Sequence, residues 1–268
     1  MNRVLVNIGP ITIYWYSFLI LVAVLTGYEI AIQYSRKLKY HTNDITDMAL
    51  YLLIWSVVGA RLYYVIFNYS VFKNDFLGIF QIWRGGLAIY GGIIGGTLYI
   101  LYYCIKKKLD FIKVLDILSL SVLLGQAIGR WGNFFNSEAY GGITTYEALA
   151  KLHIPEFIIK GMEIDGAYRQ PTFLYESLWC LMGVVILFII RKKPFTEKGK
   201  QISFYLMWYG LGRFFIEGLR SDSLYIGALK VSQFVSIAIF LIGLIANIIM
   251  WKKKHKKINN VVGTTGRI

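Results

Sequence analysis

Seven stretches of mainly apolar residues, at roughly 13–33, 48–67, 87–105, 114–131, 172–190, 203–219 and 227–251, run through almost the whole of this chain. Each is close to the ~20 residues with which an α-helix crosses the roughly 30 Å hydrocarbon core of a bilayer. Runs of that length constrain the fold more than any short motif, because a peptide group in lipid must be satisfied within the structure itself. The pattern predicts an all-α, polytopic integral membrane protein with about seven transmembrane helices. The composition agrees: 56% of the 268 residues are hydrophobic and only 16% are charged, too few charges for a soluble domain of this size. No repeat, linker or low-complexity segment divides the chain, so residues 1–268 are read as a single membrane domain. The first span is preceded by Arg3 alone, carries Tyr28 and Glu29, and is followed by no small-residue cleavage pattern. It is therefore expected to remain as a spanning helix and not to be removed as a signal peptide.

The 29 basic and 15 acidic residues leave a formal charge of +14, a surplus that in a soluble protein would suggest nucleic acid. Its placement points elsewhere. Arg36, Lys37 and Lys39 lie in the first loop, Lys106, Lys107, Lys108 and Lys113 in the third, and Arg191, Lys192, Lys193, Lys198 and Lys200 in the fifth. A further basic group, from Lys252 to Lys257, opens a tail at about 252–268. The alternate loops are poorer in Lys and Arg, which by the positive-inside rule puts the N-terminus outside and the C-terminus in the cytoplasm. The basic tail is then a membrane-surface feature and nucleic acid is not expected as a partner. The long fourth loop, about 132–171, becomes the largest external element and is expected to form a small cap. Cys104 and Cys180 fall inside spans and are read as packing residues, with no disulfide and no metal site.

Charges at membrane depth are costly and normally face the protein interior or a wet cavity. They are few here: Glu29, Arg61, Asp116, Arg130, Glu176, Arg213 and Glu217, with Glu138 and Arg220 at the outer boundary. Glu29 and Asp116 fall toward the cytoplasmic side and are read as members of buried structural pairs. Arg61 and Glu176 are open to either a structural or a functional reading. On the sixth span Tyr209, Arg213, Glu217 and Arg220 recur at spacings of four, four and three, one stripe of a helix with two guanidinium groups and one carboxylate. Arg130, on the fourth span, adds positive charge at similar depth. A dry site with surplus arginine is expensive unless an anion occupies it, and planar guanidinium forks suit phosphate oxygens. A lipid phosphate is the anion most available there. If the fourth span stays helical, Arg130, Asn133 and Ser137 share a face with Asn136 beside them, and the amides supply neutral donors. Before the third span, WRGGLAIYGGIIGG brings four glycines near a helix start. These either expose backbone N–H groups to an anion or allow close helix packing, and Tyr90 lies between the two pairs.

With these residues in view, the chain resembles the prolipoprotein diacylglyceryl transferase family over most of its length. The family signature has the form GRxGNFxNxExxG, and residues 129–141, GRWGNFFNSEAYG, fit every fixed position. GPITIYWYS resembles the family's first-span segment and puts Tyr16 on its functional tyrosine. Arg61 in GARLYYVIF, Glu176 in QPTFLYE, and Tyr209, Arg213, Glu217 and Arg220 also fall on family positions. The resemblance implies transfer of the diacylglyceryl group of phosphatidylglycerol onto the lipobox cysteine thiol of a secreted prolipoprotein, with glycerol phosphate released. It implies a bacterial plasma-membrane location, an active site toward the outer face, and no metal or soluble cofactor. It further implies Arg130, Arg213, Tyr90, Glu138, Tyr209 and Glu217 as the catalytic set. Arg130, Arg213, Asn133, Tyr16, Gly141, Arg220, Asn136, Arg61 and Glu176 are implied to bind phosphatidylglycerol.

On this reading the nucleophile is the substrate's cysteine, not Cys104 or Cys180. A free thiol titrates near 8.5, so a few per cent is thiolate at neutral pH. Arg130 and Arg213 are expected to stabilise the phosphate as the carbon–oxygen bond breaks, with Asn133 and Tyr16 positioning the headgroup. Glu138 and Glu217 are expected to hold the arginines. One departure from the family pattern stands out. Many members have His-Gly-Gly where this chain has Tyr90-Gly91-Gly92, and a phenol titrates near 10, a poor base at neutral pH. His41 and His255 fall on the cytoplasmic side and His153 in the external loop without a motif, so none is an evident replacement. An alternative from another class, a lipid or anion transporter using the same arginines, would suit glycine-broken helices, but the two halves show no inverted repeat.

Overall fold

The computed structural model describes residues 3–9, 11–73, 75–192, 197–221, 225–227 and 229–265, with side chains to Lys253. Lys193 and the side chains of the basic tail beyond Lys253 therefore lie outside the described residues. A hairpin of Val4–Ile8 (β1) and Ile11–Tyr14 (β2) leads into Trp15–Lys37 (α1). Thr42–Phe67 (α2) is followed by one turn, Tyr69–Phe72 (α3), by the 3-10 turns Leu77–Phe80 and Ile82–Arg84, and by Ile89–Lys107 (α4). Phe111–Asn136 (α5) opens onto Ile143–Thr144 (β3), Tyr146–Lys151 (α6), Glu156–Gly161 (α7), Glu163–Ile164 (β4) and Ala167–Arg169 (β5). Thr172–Lys192 (α8), Lys200–Leu219 (α9), the hairpin Tyr225–Ile226 (β6) and Leu229–Lys230 (β7), and Val231–Thr265 (α10) complete the order.

The fold is mostly helical, and each expected span is met by one long helix. Five of these helices, α1, α2, α5, α8 and α10, are long and apolar enough to cross a membrane. α4 is diluted by four glycines and four tyrosines, and α9 by Arg213 and Glu217. Three small antiparallel sheets among the described residues are additions that the all-α expectation did not contain. The first long helix begins at Trp15 because Ile11–Tyr14 pairs as a strand with Val4–Ile8. Polarity is inverted relative to a soluble protein. Leu25, Leu50, Ile66, Val185 and Ile242 are each more than half exposed on the long helices, whereas Arg61, Arg191, Glu176 and Glu217 are buried. That is the arrangement expected of a chain whose solvent is lipid. Glu29, read from the sequence as part of a buried pair, is exposed.

By internal packing the chain forms two compact units, Ala31–Val114 and the union of Met1–Ile30 with Leu115–Ile268. In the smaller one, α2 and α4 pack through glycine. A Cβ on Gly91 would come within 2.4 Å of the Gly59 carbonyl oxygen, and one on Gly95 within 2.6 Å of that of Trp55. The GGIIGG run is thus a close helix crossing, the packing alternative of the two that the sequence left open. Arg61, on α2, holds the loop after the 3-10 turns. Its Nε donates to the carbonyl of Ile79 at 2.8 Å, Nη2 to Gly78 at 2.7 Å, and Nη1 to Gly85 at 2.7 Å and Gly86 at 2.8 Å. Tyr90 occupies the first turn of α4, partly exposed.

In the larger unit, α8 and α9 interlock by a reciprocal tryptophan pair. The Trp179 and Trp208 rings stack at 4.4 Å, and each Nε1 donates to the other's carbonyl at 2.9 Å. Each ring lies over a glycine of the facing helix: a Cβ on Gly212 would meet Trp179 at 2.1 Å, and one on Gly183 would meet Trp208 at 2.5 Å. This lock sets the axial register of the two helices. Ser177 Oγ donates to the Ala127 carbonyl at 2.9 Å and ties α8 to α5. The segment between α5 and α8 folds into a cap, in which Leu149, Ile158, Ile159 and Met162 cover Phe134 and Phe173 at the helix ends. The three-stranded sheet, ordered β3-β5-β4, closes it.

Candidate functional site

The Trp179–Gly212 contact places Glu176, one turn before Trp179, opposite Arg213, the neighbour of Gly212. Glu176 receives two arginines. Oε1 lies 2.8 Å from Arg130 Nη2, and Oε2 accepts from Arg213 Nη1 at 2.9 Å. Arg213 Nη2 in turn contacts Glu217 Oε2 one helical turn on, and Arg220 Nη1 reaches the same oxygen at 3.9 Å. The network Arg130–Glu176–Arg213–Glu217–Arg220 contains three guanidinium groups and two carboxylates, 3 − 2 = +1. The carboxylates are nearly sealed, at 4% and 3% side-chain exposure, while the arginines keep 14–18%. The positive groups are therefore the accessible ones. Tyr209 lies one turn before Arg213 on the same stripe and packs near the α5–α8 core.

The signature segment joins this network through its amides. Arg130 Nη1 donates to Asn133 Oδ1 at 3.3 Å; the Nδ2 atoms of Asn133 and Asn136 donate to Glu138 Oε1 at 3.0 and 3.3 Å. Glu138 thus holds the two amides, and Glu176 takes the place beside the arginines that the sequence reading gave to Glu138. Helix α5 stops at Asn136, so Ser137 does not continue the Arg130–Asn133 face. Ser137 and Ala139 sit at φ 54° and 58°, left-handed conformations that cost a non-glycine residue about 1–2 kcal/mol. These two reversals turn Glu138 back toward the amides, and strain of this kind gathers at functional sites.

Two glycines of the signature are required by close approach. A Cβ on Gly132 would lie 2.6 Å from the Tyr16 ring, so α1 lays that phenol directly on α5. One on Gly141 would meet Gln170 Cβ at 2.8 Å and the Leu219 carbonyl at 3.1 Å. Gly141 pairs with Arg220 in an antiparallel bridge, and the Gly142 N–H donates to Leu219. Gly141 therefore joins the signature to the end of α9. A cleft of about 420 Å³ opens beside Glu138, lined by Arg3, Tyr14, Tyr16, Ser17, Asn136 and Glu138. It connects to the arginines through the Glu138–Asn133–Arg130 chain. Tyr14 and Ser17 belong to the GPITIYWYS segment, where the sequence singled out Tyr16 alone, and Arg3 carries no motif.

Nine of the expected residues therefore come together: Tyr16, Arg130, Asn133, Asn136, Glu138, Glu176, Arg213, Glu217 and Arg220. Gly141 supports them by packing, while Arg61 and Tyr90 belong to the smaller unit. A guanidinium has five N–H donors, so each of Arg130 and Arg213 keeps donors beyond those engaged above. Accessible guanidinium groups, neutral amides and a cleft suit the retention of an anionic headgroup.

Fold and site define a mostly helical membrane protein that concentrates accessible arginine around buried carboxylates. The family model described as prolipoprotein diacylglyceryl transferase matches residues 3–249. A relative from Ligilactobacillus salivarius, called phosphatidylglycerol–prolipoprotein diacylglyceryl transferase, is 44% identical over 242 residues, 90% of each chain. Relatives of the same name from Streptococcus equi subsp. zooepidemicus and Halalkalibacterium halodurans are 46% and 44% identical, over 91% and 96% of this chain and 93% and 88% of their own. The chain belongs to the prolipoprotein diacylglyceryl transferase family.

Proposed function

We propose that this protein transfers the diacylglyceryl group of phosphatidylglycerol to the lipobox cysteine of a prolipoprotein, the first step of bacterial lipoprotein maturation. The observation that carries the proposal is the convergence of Arg130 and Arg213 on one buried carboxylate, Glu176, with both arginines more exposed than the carboxylate they share. The substrate sulfur attacks the glycerol carbon that bears the phosphate oxygen. A carbon–sulfur bond forms, the carbon–oxygen bond breaks, and its electron pair leaves on glycerol phosphate. The thiol gives up its proton to solvent or to the departing phosphate, whose second pKa is about 6. The leaving group needs positive charge more than it needs a proton, and Arg130, Arg213 and Arg220 supply it. Asn133, Asn136 and Tyr16 orient the glycerol and phosphate, and Glu138 keeps the two amides turned the right way. Glu176 and Glu217 fix the guanidinium planes. Tyr209 supports the stripe, Gly141 holds the signature on α9, Arg61 orders the loop over residues 78–86, and Tyr90 orients lipid by a hydrogen bond.

The same reading takes all seven long helices as spans of one functional membrane domain, N-terminus outside and C-terminus in the cytoplasm. The site then faces the outer side of the plasma membrane, where secreted substrates emerge. The test is purified protein in phosphatidylglycerol vesicles with a synthetic lipobox peptide, followed by mass spectrometry. The expected product is a peptide carrying a thioether-linked diacylglyceryl group, with equimolar glycerol phosphate. Lipid that crosses the bilayer with the peptide unmodified would overturn the proposal.

A further inference from the structure

α9 carries Arg213 and Glu217, and its last carbonyls have no partner inside the helix. Many helices close with a left-handed glycine, but here the chain turns extended at Arg220, φ −72° and ψ 145°. That turn lets Arg220 pair with Gly141 and Leu219 accept from Gly142, and leaves the carbonyls of Glu217, Gly218 and Arg220 to another group. The group is Lys230, at the end of β7 and 3% exposed. Its Nζ donates to the carbonyls of Glu217 at 2.9 Å and Gly218 at 3.1 Å, and to that of Arg220. The backbone N–H of Lys230 donates to Gln233 Oε1 at 3.0 Å, and Gln233 Nε2 donates to the Phe214 carbonyl at 3.2 Å. A buried ammonium is expensive unless fully hydrogen-bonded, and its three donors match three carbonyls. Two of those carbonyls belong to Glu217 and Arg220, residues of the anion network.

We infer that Lys230 is a positioning residue for the anionic-lipid site, which rests on the transferase reading. It fixes the backbone from which the Glu217 carboxylate and the Arg220 guanidinium project, and it puts one further positive charge behind them. The other end of α9 offers a built-in comparison. There Asp116 accepts from the N–H groups of Gly199 at 2.6 Å, Gln201 at 3.1 Å and Ile202 at 2.9 Å. Asp116 is also a buried charge of the sign that suits its helix end, but about 30 Å from Lys230 at 1.5 Å per residue. It serves the fold without reaching the site.

The experiment uses the full chain in detergent micelles. Phosphatidylglycerol affinity is read by tryptophan fluorescence without peptide, thioether formation by mass spectrometry, and Tm alongside. Lys230→Gln, which keeps an amide donor for the carbonyls but removes the charge, should weaken lipid affinity about tenfold. Lys230→Arg should stay within about threefold of the wild type. Asp116→Asn should lower Tm and leave lipid affinity unchanged. Combined with Arg220→Ala, Lys230→Gln should add little, because both act on the same contact. Wild-type affinity in Lys230→Gln, or losses that multiply in the double variant, would overturn the inference. Lys230→Met, with no donor, is expected to fold poorly, and the Gln and Arg variants carry the test without it. Lipid binding by the wild type without thioether product overturns the transferase reading alone; no lipid binding by the wild type overturns both.

Discussion

Glu176→Gln separates the two things a buried carboxylate does between arginines: it holds them, and it cancels part of their charge. The carboxylate is ion-paired with Arg130 at 2.8 Å and accepts from Arg213 at 2.9 Å, at 4% exposure. Breaking a buried ion pair by removing one partner typically costs 3–5 kcal/mol. Glutamine keeps one oxygen and the shape, so the loss should fall at the lower end, about 3 kcal/mol. Its NH₂ group then opposes one of the two guanidinium groups, which must turn away. The fork aimed at the phosphate is lost on that side, and kcat should fall about a hundredfold, equivalent to ~2.7 kcal/mol at the transition state. The charge of the network meanwhile rises from 3 − 2 = +1 to 3 − 1 = +2. An anionic lipid should therefore bind as well as before or better, and KM for phosphatidylglycerol should stay level or drop. Initial rates of thioether formation against lipid concentration give both constants, and a thermal melt gives the stability change. A tenfold rise in KM with unchanged kcat would refute the reasoning, because Glu176 would then be touching the substrate directly. Wild-type kcat and Tm would refute it from the other side, by showing that the two ion pairs hold nothing.

Arg130→Ala and Arg213→Ala should each nearly abolish transfer, and lysine at either place should rescue poorly, since a point charge cannot span two acceptors; turnover assays on folded variants decide this. Tyr90→Phe should lose about tenfold or less, the value of one hydrogen bond, with a pH–rate profile still set by the substrate thiol. A hundredfold loss that removes the basic limb of the profile would instead make Tyr90 the base. Reporter tags after Lys108 and Lys257 should be cytoplasmic and a tag near Lys151 external, and an internal tag at Lys151 would put the arginines on the wrong side for secreted substrates.

The long helices were legible because lipid imposes a length on any helix that crosses it; each apolar run found one long helix, and five of these are long and apolar enough to cross. The α9 stripe was legible for a related reason: spacings of four, four and three refer only to one helix and need no knowledge of its neighbours. What escaped depends on contacts between segments far apart in the chain. Glu176 has no charged residue at helical spacing on α8, so its role as the common acceptor appears only once Trp179 and Trp208 set the register of α8 against α9. Paired Trp and Gly positions on two spans were the available signal. Arg61 looked like any charge at depth, yet its donors are met by carbonyls 17 to 25 residues further on. Lys230 drew no reading from the sequence, and its burial is visible only in the folded end of α9. The N-terminal hairpin was missed because ITIY satisfies both an apolar span and a strand. Its pairing with Val4–Ile8 decides between them.

Carboxylates inside an anion site need a reason, since arginines alone would hold a phosphate more tightly. The proposed reaction supplies one. Phosphatidylglycerol carries one negative charge, and the glycerol phosphate that leaves gains a second as the carbon–oxygen electron pair departs. Arg130, Arg213 and Arg220 against Glu176 and Glu217 leave +1 within the ion-paired network; Glu138, one amide away, brings the convergent residues to 3 − 3 = 0, and Lys230 behind them restores +1, so attraction for an anion rests on the accessible guanidinium groups and not on a large surplus. Only interactions that strengthen between bound substrate and transition state raise kcat. With both carboxylates neutral the surplus would be larger by two, the extra attraction would act on the bound lipid as well, and the dianionic product would be slow to leave. Two sealed carboxylates hold the surplus low and the guanidinium planes fixed, so that attraction grows chiefly as charge develops on the departing oxygen. On that argument Glu176 and Glu217 belong to the catalytic design as much as the arginines do, although neither needs to exchange a proton.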